Sequence, residues 1–142
     1  MPVDPSPASE SPVSQMLTSL QEVGSNLAFI RQELPGLDMP EDQRRGFLEI
    51  CGTLSKDVDG LQARIERLEG ASPAGSVAIE AIQAHIRGQV TRLDESVKAA
   101  RSLAAAEPKC VAVKILIEES GANMLRAYVR MWDTLEHLRT KV

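Results

Sequence analysis

Residues 47–68 read FLEICGTLSKDVDGLQARIERL, and their apolar members fall on one line. Phe47, Cys51, Leu54, Val58, Leu61, Ile65 and Leu68 are separated by four, three, four, three, four and three. That alternation keeps them on one face of a helix with 3.6 residues per turn and gives the helix a heptad seam. Such a helix draws most of its stability from what covers the seam. The feature therefore predicts an all-α fold of packed helices with coiled-coil-like seams. It also predicts that Phe47, Leu54, Leu61 and Leu68 meet either another helix of the same chain or a second copy.

Three more stretches carry helical periodicity. Met16, Leu20, Val23, Leu27, Ile30 and Leu34 mark a helix over about 13–34, which "LPG" at Leu34–Gly36 stops. The helix with the opening seam runs over about 39–69. Asp38 and Glu41 stand at capping-box spacing before it, and Pro40 suits its first turn. After the break "GASPAGS" a third helix covers about 74–105, with Ser72 or Ser76 as its expected cap. Its seam runs through Ile79, Ile82, Ile86, Val90, Leu93, Val97, Ala100 and Ala104, with a stutter at Ile86–Val90. Pro108 interrupts the pattern, as a reversal or as a kink, and a fourth helix follows over about 109–140.

The fourth helix has two adjacent apolar stripes. One is Ile117, Gly121, Met124, Tyr128, Met131, Leu135 and Leu138; the other is Val111, Ile115, Ala122, Leu125, Val129 and Trp132. So wide a face calls for more than one covering helix. The expectation is a helix at the centre of the core, with Trp132 mostly buried there or at the main interface. Aromatic residues are only 3% of the chain, so Leu, Ile, Val, Ala and Met must fill that core. At 142 residues, one domain over 13–142 is expected, after a Pro- and Ser-rich tail over 1–12 that reads as disordered.

The net charge of −4 argues against general nucleic-acid binding, which needs clustered Lys and Arg. No apolar run approaches the ~20 residues of a membrane span. The first residues have neither a basic nor an apolar region of the kind a secretory signal needs, so an intracellular protein of cytoplasm or nucleus is expected. Two cysteines, Cys51 and Cys110, make no disulfide framework, and neither has partners at metal-ligand spacing.

The motifs of metalloproteases, P-loops and dinucleotide sites are missing from the sequence. A bundle di-iron site needs Glu-x-x-His pairs, but Ile82 and Thr134 precede His85 and His137 at that spacing. The segment "AHIRGQ" is similar in style to the phosphoacceptor site of histidine phosphotransfer domains, which are four-helix bundles. Their pattern is His, two residues, then Lys and a small residue. Here Arg87 and Gly88 each come one position early, so no basic side chain of this helix turn shares the face of His85.

The expected function is non-enzymatic: a protein-interaction or assembly module that joins itself or another helical protein. Its expected contact residues are Phe47, Leu54, Leu61, Leu68, Tyr128 and Trp132, with no catalytic, cofactor or metal residue. The alternatives are a histidine phosphotransfer-like signalling bundle using His85, or a small helical enzyme with a site between helices.

Overall fold

The computed structural model describes residues 11–70 and 75–140, and within them the chain is a four-helix bundle. The helices are α1 (Pro12–Glu33), α2 (Glu41–Gly70), α3 (Ser76–Ala106) and α4 (Val111–Thr140), with 3-10 turns at Leu34–Gly36 and Pro108–Cys110. Residues 1–10 of the expected tail and the expected cap Ser72 lie outside the described residues. Ser11 and Pro12, expected in the tail, open α1 instead. The Ser14 amide donates to Ser11 Oγ at 3.0 Å, and Pro12 occupies the first turn, where its missing N–H costs nothing.

Two other helix starts move. Gly75 caps α3 in an extended conformation. The second helix begins at Glu41, with the Pro40 carbonyl accepting from the Arg44 amide at 3.0 Å. Asp38 is therefore outside α2 and pairs instead with Lys109, at 3.9 Å. That contact joins the α1–α2 connection to the α3–α4 turn. Leu34 and Met39 of the same connection are buried.

Pro108 makes a reversal. It pushes Glu107 into extended backbone, and α3 ends there. The next helix returns antiparallel along α3. Side-chain bonds rung the pair: Arg101 to Glu118 at 2.9 Å, Tyr128 to Gln89 at 2.6 Å, Gln83 to Glu136 at 2.8 Å and Arg139 to Glu80 at 3.0 Å. On its other side α4 packs on α1, where Arg130 pairs with Glu22 and Asn123 Nδ2 donates to Asn26 at 3.3 Å. Each helix touches the two beside it, α1 on α2, α2 on α3, α3 on α4 and α4 on α1, so the core is the space all four enclose.

The seam of α2 closes within one chain. Phe47, Cys51, Leu54, Val58, Leu61, Ile65 and Leu68 are all buried, Leu61 to 1%. Of the two coverings the spacing allows, helices of the same chain supply it, and a second copy is not needed to bury this line. The adjoining faces of α1 and α3 are long enough to flank the whole line. The thiols of Cys51 and Cys110 are buried too, and burial pushes Cys51 up to about 11. Cys110 is raised as well, by burial and then by the Glu107 side chain beside it. Both are protonated and unreactive near neutral pH.

In α3 the structure replaces the stutter with a regular line. From Ile86 onward the buried residues are Ile86, Gln89, Leu93, Ser96, Ala100 and Leu103, spaced three and four apart without a break. Gln89 and Ser96 take the inward positions, while Val90 and Val97 turn half outward. Both polar residues find partners: Ser96 Oγ donates to the Arg92 carbonyl at 3.1 Å, and Gln89 Oε1 accepts from Tyr128. The Tyr128 phenol is held above its ordinary range, by burial first and by Asp57 second, so it remains a donor at any ordinary pH.

Tyr128→Phe is expected to destabilise the bundle by ~1–3 kcal/mol, because it strips the partner from a buried amide. Its Nε2 already has no partner among the described residues. Adding Gln89→Leu removes the stranded group and should restore most of the loss in urea unfolding. A double variant as weak as the single one would assign the effect to packing instead.

Glycines separate by contact. Gly60 is exposed in mid-helix with nothing within 4 Å of an added Cβ, so Gly60→Ala is expected to stabilise by ~0.5–1 kcal/mol. Gly121 is where α4 approaches α3: a Cβ there meets Val97 Cγ2 at 3.2 Å and Leu93 Cδ1 at 3.5 Å. Gly121→Val should cost ~1–3 kcal/mol or more by overpacking. Thermal unfolding of both variants checks the contrast.

Candidate functional site

The two apolar stripes of α4 have opposite fates. Ile117, Gly121, Met124, Tyr128, Met131 and Leu135 are buried. Val111, Ile115, Leu125 and Val129 are 49, 49, 44 and 50% exposed, and Ala122 is exposed with them. The central helix expected from the sequence is therefore covered on its inner stripe alone. A square of four helices leaves every member one outward side, and the second stripe of α4 lies there.

This outer face continues into the groove between α3 and α4. Val90, Val97, Ala122 and Leu125 line one section of about 580 Å³ with Asp94, Arg101 and Glu118. Ile86, Val90, Leu125, Val129 and Trp132 line an adjoining section of about 250 Å³. Trp132 is partly buried rather than enclosed, and the Arg87 guanidinium lies over its ring at 5.4 Å from the centroid. On the other side of α4 the surface turns polar, with Asn26, Asn123, Arg126 and Arg130 lining a groove against α1. An apolar centre with a polar rim is the anatomy of a protein interface.

Of the contact residues expected from the sequence, Phe47, Leu54, Leu61 and Leu68 are in the intramolecular core. Tyr128 is also buried, although one side of it lines the groove, and Trp132 stands at the groove itself. The apolar spacing assigns Val90 and Val97 to the α3 seam and Leu125 and Val129 to a covered stripe of α4, whereas all four stand at the outer groove. The available signal was the polar pair Gln89 and Ser96, which complete an unbroken inward line and displace the valines beside them.

His85 is exposed on α3 and opens on a different cleft, between α2 and α3. Asp57, Arg64, Ala81, Ala84, Gly88, Gln89 and Arg92 line it with His85, in a volume of about 490 Å³. The basic partners missing from its own helix turn arrive from α2, as Arg64, and from two turns along α3, as Arg92. Arg92 pairs with Asp57 across the cleft. Among the described residues no group of three or more His, Cys, Asp or Glu side chains is placed to hold a metal ion. No described helix is long and apolar enough to cross a membrane. No family model, curated protein or solved structure matches the chain.

Proposed function

We propose that this chain is a non-enzymatic interaction module that pairs with a second copy of itself through the outer face of α4. The observation that carries the reading is the inversion of polarity between core and surface. Gln89, Ser96 and Ser120 are buried, while Leu125, Val129, Ile115 and Val111 are half exposed. A bundle stable only for itself gains nothing from that arrangement, whereas a docking face needs it.

A second copy fits because the stripe is self-complementary about Ala122. Ile115 and Val129 stand seven residues to either side of it, and Val111 and Trp132 lie near the ends. Val111 to Trp132 spans about 32 Å at 1.5 Å per residue, long enough for a helix pair. In an antiparallel pairing centred on the small Ala122, Glu118 of one copy falls opposite Arg126 of the other. Lys114 and Arg130, eight residues out on either side, would repel if bare. Each has an acid of its own chain, Glu118 at 3.8 Å from Lys114 and Glu22 beside Arg130. A two-fold interface requires this kind of self-matching.

Sedimentation equilibrium tests the proposal. The expected mass is twice 15.4 kDa in the micromolar range. Emission of the single Trp132 should shift to the blue as the concentration rises, since the ring loses water on pairing. A 15.4 kDa species that persists to roughly millimolar concentration, a Kd weaker than −4.1 kcal/mol, would sink it.

A further inference from the structure

We infer that the cleft between α2 and α3 binds a phosphoryl oxyanion, with Arg64, Arg92 and His85 as its donors. The cleft exists because α3 presents Ala81, Ala84 and Gly88 to it, side chains too small to fill the space against α2. An added Cβ on Gly88 would meet nothing within 4 Å.

Its wall is rich in donors that the fold leaves unused. Arg64 is exposed and has no carboxylate within ion-pair distance among the described residues. The imidazole of His85 stands at the same cleft, and Arg92 keeps further N–H groups beyond those facing Asp57.

The charge is compatible with an anion. Arg64 and Arg92 outweigh Asp57, the one carboxylate among the lining residues, which Arg92 already neutralises. Arg64 comes from α2, and His85 and Arg92 come from α3 two turns apart, so the donors line both walls of the cleft. A tetrahedral oxyanion can use such a set, while a planar carboxylate is matched by a single guanidinium fork. The cleft is separate from the α4 face, and its occupancy does not depend on pairing of the chain.

Titration of the full chain with inorganic phosphate, followed by amide and arginine Nε resonances, tests the assignment. The expected result is saturable shifts at Gly88, Gln89 and Arg64. Arg64→Gln should weaken binding about tenfold, the worth of one charge-assisted bond. Arg45→Gln, exposed near the other end of α2, should leave it unchanged. Asp57→Asn removes the opposing carboxylate and frees Arg92, so it should tighten binding about threefold or more, a gain that structural damage does not produce. Shifts that grow linearly and equally at Arg126 and Arg130 would mean an adventitious ion only and overturn the inference. Acetate saturating the same resonances at the same concentration would overturn it too, because the cleft would then not distinguish a phosphoryl group.

Discussion

Leu61→Ala is expected to cost ~2–5 kcal/mol of stability, and the loss relative to wild type should be the same at every protein concentration. Leu61 sits at mid-seam of α2 and is 1% exposed in the single chain. Its removal forfeits the transfer of an isobutyl group from water and leaves a cavity that the flanking Val58 and Ile65, themselves buried, cannot close without leaving their own places. Urea unfolding of variant and wild type at low and high micromolar concentration measures the difference. A residue at a subunit boundary behaves otherwise, because its effect enters through association and scales with concentration. A loss that grew with dilution would move the α2 seam back to an interface.

The opposite pattern is expected on α4. Leu125→Glu combined with Val129→Glu should convert the proposed pair to a 15.4 kDa monomer without loss of helix. Both positions are about half exposed in one chain, so the carboxylates stay solvated there, and Glu is a better helix former than Val. Across a two-fold interface four unpaired carboxylates would be brought together and partly dried, at a cost of several kcal/mol. At 1.4 kcal/mol per decade that is a weakening of ~100-fold or more. Sedimentation and far-UV circular dichroism read the two halves of the result. Retention of the double mass would place the contact elsewhere on the bundle.

The two variants part company over a distinction that periodicity alone does not make. The apolar lines of α1, α2 and the inner stripe of α4 are legible because each matches one neighbour-facing sector and nothing competes with it. In α3 the hydrophobic pattern misleads. It counts Val90 and Val97 as seam residues and absorbs the mismatch as a stutter. The fold instead keeps an unbroken line and accepts Gln89 and Ser96 inside, because Tyr128 reaches Gln89 from α4 and the Arg92 carbonyl accepts from Ser96. A polar residue is tolerated in a core once it is bonded, and the bonding partner is 39 residues away in the chain. The cleft at His85 was hidden for the same reason. Spacing within α3 reports only cations on that helix, while Arg64 comes from α2.

What this sequence determines by itself is local. Four amphipathic segments, the breaks at Pro35 and Pro108, and the continuous apolar line of α2 all follow from residue spacing and backbone restriction. Those effects act within one turn or one segment. The tertiary structure decided the rest: that Pro108 reverses the chain, that the α2 seam is covered by its own chain, that the second stripe of α4 faces outward, and that Arg64 stands at the cleft of His85. Spacing fixes the angle of a side chain about its own helix axis. How far each helix is rotated toward its neighbours depends on all four packing at once, and that rotation alone selects which of two adjacent apolar stripes becomes core and which becomes surface.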